Sequence, residues 1–410
     1  MSEAIARILE ALRPGETVFL PGSTGEVPAL SAALAAEGAP ALDITASFVP
    51  GINPPLAGRL PKGGCFGNPF AGGARGGQAA GAMRHLPLSY AGFAAHLSRT
   101  SFDTVIVHVA PPDSAGRASL GSAVEFTPIA LRRAGRLIAV INQRVPAMRH
   151  AEAIDIADAA VVVEIDAPLR EYDVGAPSAQ SGAIARNVAA YIGDGAALQI
   201  GLGKGPDALL SLLGERRNLR LHSGMLSGGA RLLAESGALD AGFRHTSCIH
   251  VGTQDYYDWL AGRDDFAVRA CDHTHAPQVL AAVEGLVAVN AALSVDLFGQ
   301  ANLEMLGGRA VSGVGGAADF ARAASLAPSG LSIVALPAAS GEARAPRIVP
   351  RLDGVVSLPR HDIDIVVTEH GAADLRGACV MERAERLIAI AEPRHHGDLE
   401  VAWREIAGKM

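Results

Sequence analysis

The chain has 410 residues, 49% of them apolar and 19% charged, with a formal net charge of −7. That much buriable surface excludes a disordered polypeptide, and the absence of any basic run excludes a nucleic-acid scaffold. One core rarely organises such a length, so two domains of about 200 residues each are expected. Residues 4–12 repeat apolar positions at helical spacing until Pro14-Gly15 breaks the pattern. Thr17–Leu20 then reads as a short buried strand closed by Pro21–Gly25, and further strands are expected at Thr104–Val109, Leu137–Ile141 and Ala160–Ile165. Helical stretches at Ala91–Leu97 and Pro128–Ala134 lie between them. Strand alternating with helix predicts a largely parallel sheet flanked by helices.

Residues 166–182 (DAPLREYDVGAPSAQSG) are rich in Pro, Ser, Gly and charge and read as a linker between an α/β domain over 1–165 and a second over 183–410. Beyond it the pattern restarts with a helix at Ile184–Ile192 and a strand at Ala197–Ile200. Later strands are expected at Cys248–Val251, Leu286–Val289, Leu331–Leu336 and Ile363–Val367, and a helix from Glu382 to Ile390. The first residues carry acidic groups where a secretory signal would be basic, and no apolar run reaches the roughly 20 residues that cross a bilayer. Cys65, Cys248, Cys271 and Cys379 are scattered, as reduced core thiols are. A cytoplasmic protein with no membrane and no nucleic-acid partner is expected.

Two glycine clusters follow apolar runs. Gly201-Leu202-Gly203-Lys204-Gly205-Pro206 sits where a strand gives way to a helix, and either presents backbone N–H groups to an anion or polarised carbonyl or makes a plain tight turn. Pro206 spoils a dinucleotide fingerprint. Ser312-Gly313-Val314-Gly315-Gly316 either bends a strand or serves a developing oxyanion. Two acidic residues stand out. Glu125 follows the Pro111-Pro112-Asp113 turn, and Glu369 ends an apolar run before His370-Gly371. Each is either a carboxylate on the edge where α/β sheets place their sites or a flanking residue of the next helix. Cys271, His273 and His275 alternate and would share one face of a strand, yet no fourth metal ligand is suggested and Pro277 ends the run. No metal is assigned to them.

Taken together, VAPPDSAGRASLGSAVEFT (109–127), IGLGKGPDALLSLL (200–213), LHSGMLSGGARLL (221–233) and VGTQDYYDWL (251–260) resemble the acetyl-CoA hydrolase/transferase family, the single-chain class I CoA-transferases that include 4-hydroxybutyrate CoA-transferase. The resemblance continues through VNAALSVDLFGQANLE (289–304), SGVGGAADFARAA (312–324), PRIVPRLDG (346–354) and VVTEHGAADLRG (366–377). It implies two α/β domains, an acyl-CoA substrate bound in the cleft between them, no permanently bound cofactor and a homo-oligomer. It also implies chemistry through a glutamyl-CoA thioester.

Here the sequence departs from the pattern. The family nucleophile belongs to a His-Ser-Glu-Met motif, and this chain reads His222-Ser223-Gly224-Met225, with Gly228 where a further acidic residue is expected. The resemblance still places Leu202 and Gly315 or Gly316 as backbone donors to the thioester oxygen. It places Asn290, Gly203, Ser223, Gly224 and Met225 in the pocket, and Glu369 beside the site. Glu125 stands where the family commonly has an aspartate. The implied reading is an acyl-CoA enzyme that uses water, with Glu125 or Glu369 as general base, hydrolysing a thioester or a carbon–carbon bond. The alternatives are an orthodox CoA-transferase with another carboxylate as nucleophile and a non-catalytic acyl-CoA-binding paralogue.

Overall fold

Strand Phe102–Val109 (FDTVIVHV) is buried at seven of its eight positions, and Ala134–Asn142 runs beside it through Leu137–Ile141, equally apolar. Sequences apolar on both faces belong in the middle of a parallel sheet covered on both sides. That is where they lie in the computed structural model, which describes residues 2–56, 58–71, 83–173, 175–341 and 344–410. The sheet has seven parallel strands in the order Met83–His85, Cys65–Asn68, Asp43–Thr45, Thr17–Phe19, Phe102–Val109, Ala134–Asn142 and Val161–Ile165. Helix Glu3–Ala11 starts where the Ser2 hydroxyl caps Ile5 N, and it buries Ile5 and Ile8. Those two pack with Val18, Leu20, Ile44, Ile106, Ile138 and Val140 in one apolar cluster.

The described residues form two units. The first comprises Met1–Asp173, Arg244–Ala276 and Val311–Gly315, and the second Val174–Phe243, Pro277–Ala310 and Gly316–Met410. The change of unit after Asp173 falls within the stretch 166–182. Residues 244–276 and 311–315 lie beyond that stretch in sequence but pack with the first unit. Main-chain bonds hold them there: Val124 N and Glu125 N donate to Cys248 O, Cys271 N donates to Glu125 O, and Ala71 N donates to Ser312 O. Residues before Asp173 are tied to the same unit by a buried ion pair, with Arg170 Nε and Nη2 donating to the two oxygens of Glu26 at 2.7 and 3.0 Å.

The second unit has a six-stranded sheet in the order Arg220–Leu221, Ala197–Ile200, Leu286–Ala291, Leu331–Ala335, Ile365–Thr368 and Gly371–Asp374. The first five are parallel, and the last turns back antiparallel. Val334, Leu336, Val366, Ala373 and Leu387 of this unit join Leu399 and Trp403 in its main apolar cluster. The protein is thus of the α/β class, its two largest sheets parallel or nearly so. No helix among the described residues is long and apolar enough to cross a membrane.

Candidate active site

Glu125 sits in the first unit on a sharp turn, with φ at +40°, a conformation costly for any residue with a Cβ. The turn is held open by the Cys248 and Cys271 main-chain bonds on either side of it. The residue is 3% exposed. Ser47 Oγ donates to Oε2 at 2.8 Å, and the Tyr90 hydroxyl lies 3.5 Å from Oε1. Burial, only partly offset by those two hydroxyls, pushes the carboxyl up to about 8. Burial and the neighbouring Glu125 likewise push the Tyr90 phenol well up.

Tyr90 links Glu125 to the second glycine cluster. Its N–H donates to Gly315 O at 3.0 Å, and its ring packs edge-on against Phe70 and Phe126 and tilted on His275. Gly315 adopts φ +55°, and a Cβ there would lie 3.5 Å from the Phe70 ring. Gly313 is more tightly constrained, since a Cβ would fall 2.2 Å from Pro69 O. Glu125 and Gly315 are therefore brought together through one tyrosine.

The second unit gathers the other predicted residues at the carboxyl ends of its parallel strands, the edge on which such sheets carry their sites. A cavity of about 280 Å³ opens there, lined by Leu202, Gly203, Lys204, Asn290, Gln180 and Leu336 among others. Gly203, at φ +128°, caps helix Lys204–Leu212 without any side-chain bond. Asn290 and Gln199 exchange amide bonds in both directions, Gln199 Nε2 to Asn290 Oδ1 at 3.3 Å and Asn290 Nδ2 to Gln199 Oε1 at 3.2 Å. Ser223 accepts from Ile200 N at 3.4 Å and donates to Met225 O at 2.9 Å, which pins the half-buried Gly224–Met225 turn to the strand leading into the first glycine loop.

Glu369 follows strand Ile365–Thr368, and both its oxygens are engaged. Gln180 Nε2 donates to Oε1 at 2.6 Å and Ala338 N to Oε2 at 2.8 Å. Glu369 thereby orients Gln180, a residue that lines the cavity. Glu125 and Gly315 fall in the first unit, whereas Leu202, Gly203, Ser223, Gly224, Met225, Asn290, Gly316 and Glu369 fall in the second. Gly316 ends the glycine cluster as the N-cap of helix Ala317–Leu326.

One local expectation is corrected. Cys271, His273 and His275 do not alternate along a strand: Cys271–Thr274 is a helical turn that exposes His273 and buries Cys271 and His275 four residues apart. Sequence reasoning also missed Ser47, Tyr90, Gln180 and Gln199. Each acts through a partner far away in the chain, and no local pattern marks it. The carboxyl-end position of Ser47, just past strand Asp43–Thr45, was the one available signal.

Residues 252–402 match the family model described as the acetyl-CoA hydrolase/transferase C-terminal domain. The 4-hydroxybutyrate coenzyme A transferase of Clostridium kluyveri is 34% identical over 309 residues, which cover 73% of this chain and 72% of that relative. Among solved structures, RipA from Yersinia pestis superposes with a TM-score of 0.89 at 27% identity, covering 98% of this chain and 97% of the other. A 4-hydroxybutyrate CoA-transferase from Porphyromonas gingivalis superposes with a TM-score of 0.82 at 25% identity, covering 100% and 97%. The chain belongs to the acetyl-CoA hydrolase/transferase family. Its relatives include both CoA-transferases and acetyl-CoA hydrolases, enzymes whose substrates are CoA thioesters.

Proposed function

We propose that this chain hydrolyses an acyl-CoA thioester with water in place of a glutamyl intermediate. The resemblance carries the reading: it sets Gly224, between Ser223 and Met225, where the family has its nucleophilic glutamate, and Gly224 offers no carboxylate. Water adds to the thioester carbonyl, and Glu125 in its ionised form takes the water's proton, so turnover rises with pH up to about 8. The tetrahedral oxyanion is met by backbone N–H groups of the Gly315 loop, which Tyr90 joins to Glu125. The C–S bond then breaks, and the departing sulfur receives the proton, giving a free acid and CoA. Backbone donors of this kind are worth about 10²–10³-fold each, enough to sustain a rate without the covalent route.

The support for Glu125 over Glu369 is geometric. Glu125 is held by two hydroxyls beside the Gly315 loop, whereas both oxygens of Glu369 already accept N–H bonds. Asn290 and Gln180 line the cavity of the second unit, to which no step of this chemistry is assigned. The family resemblance supports a homo-oligomer, and a cytoplasmic location is proposed with it.

The test is incubation with a panel of acyl-CoA thioesters, with and without acetate, following every CoA species by mass spectrometry. Free CoA released at equal rates with and without acetate is expected. Acetyl-CoA formed only with acetate establishes transfer instead and makes Glu125 the candidate nucleophile. Tight acyl-CoA binding without any turnover establishes the non-catalytic reading.

A further inference from the structure

Beneath the Glu125 turn lies a cluster that the proposed chemistry does not use. Cys248 lies between the short strands His245–Ser247 and Ile249–His250, and Cys271 and His275 are four residues apart on and just after a helical turn. Their two sulfurs and one ring nitrogen all lie within 4.8 Å of one another, and the three side chains are 0%, 0% and 1% exposed. The other two cysteines, Cys65 and Cys379, are not buried.

We propose that Cys248, Cys271 and His275 bind a structural zinc ion. Two thiolates and a neutral imidazole are a common zinc donor set, and an oxygen ligand completes the tetrahedron. Zinc with Zn–S bonds of about 2.3 Å holds its ligand atoms roughly 3.5–3.8 Å apart, a separation inside the 4.8 Å that bounds the present cluster. Two thiolates also balance the dication, so the loaded site buries no net charge, which an apolar interior requires.

The surroundings suit an ion. The Thr274 hydroxyl lies 2.8 Å from Nδ1 of His275 and within 3.4 Å of Ala270 O, the kind of outer partner that fixes the ring and tautomer of a ligating histidine. The Tyr90 ring packs on the imidazole at 4.9 Å. The Glu125 main chain bonds to both cysteine residues, to Cys248 O at 3.2 Å and from Cys271 N at 2.8 Å. An ion here ties two sequence-distant segments to the turn that carries Glu125.

The test measures metal content of the full chain purified under reducing conditions, then replaces the ion with cobalt(II). One zinc per chain is expected, with a near-ultraviolet thiolate-to-cobalt absorption band after exchange. Cys271→Ser and His275→Gln should each lower zinc affinity by 10–100-fold or more, and Cys65→Ser combined with Cys379→Ser should leave it unchanged. Absence of zinc after incubation with excess ion, together with absence of the thiolate band in the unaltered chain, overturns the proposal without depending on the folding of any variant. Cobalt bound with no thiolate band also overturns it and points to Glu369, His370 and Glu392, the other group of donors within 4.8 Å of one another among the described residues. None of these readouts depends on thioester turnover.

Discussion

Glu125 and Glu369 are both carboxylates that α/β topology places near a sheet edge, and their surroundings give them opposite capacities. Glu125 is enclosed in aromatic and thiol side chains, bonded by two hydroxyls, and pushed up to about 8 by burial. Glu369 also accepts one bond on each oxygen, but from an amide and a main-chain N–H. A carboxylate's role is thus set less by where the strand ends than by whether its partners are hydroxyls that can pass a proton or N–H groups that fix it.

The largest expected effect breaks the first half of that contrast. Glu125→Gln keeps the volume and removes the proton-transfer group, so kcat for thioester hydrolysis should fall by about 10²–10⁴-fold while the folded circular-dichroism spectrum is retained. Next is Gly313→Ala, which forces a Cβ to 2.2 Å from Pro69 O. It should cost about 1–3 kcal/mol, read as a fall in the urea midpoint, and should reduce turnover as the Gly315 loop shifts off Tyr90.

A third prediction concerns stability. Buried His108 is bonded to Gly25 O at 3.3 Å and to the Asn142 amide at 2.9 Å. Burial lowers its pKa to about 4 from an ordinary 6.5, against a smaller opposing pull from the carbonyls of Gly25 and Glu26. The unfolded chain therefore binds this proton near pH 6.5 and the folded chain only near 4. The stabilisation is complete above 6.5 and is lost as pH falls to about 4, by an order of 3 kcal/mol. Urea midpoints measured between pH 7 and 4 should fall accordingly, and less steeply in His108→Gln. The smallest effect probes the second half of the contrast. Glu369→Gln should raise KM a few-fold as Gln180 loses its acceptor, with kcat little changed; a kcat loss matching that of Glu125→Gln would erase the distinction between the two carboxylates.

The alternation of apolar runs with helices made the α/β class legible, because a buried parallel strand such as Phe102–Val109 must be apolar on both faces. The reading of Gly224 rests on the resemblance of the run His222-Ser223-Gly224-Met225 and not on the fold. The partners of Glu125 were not legible. Ser47, Tyr90, Cys248 and Cys271 are separated from it by tens of residues or more, and only folding juxtaposes them. The alternation of Cys271, His273 and His275 misled for a related reason: period two suggests a strand, but the N–H groups of His273, Thr274 and His275 turn back to Ala270 and Cys271.

The most direct test of water-dependent chemistry is a single turnover in ¹⁸O-labelled water, with enzyme in excess over acyl-CoA and the products and tryptic peptides weighed by mass spectrometry. Attack by water predicts one ¹⁸O in the released acid and none in any glutamate. A first-turnover acid without label, with ¹⁸O or a CoA adduct on the peptide containing Glu125, would contradict it and return the chain to covalent CoA transfer.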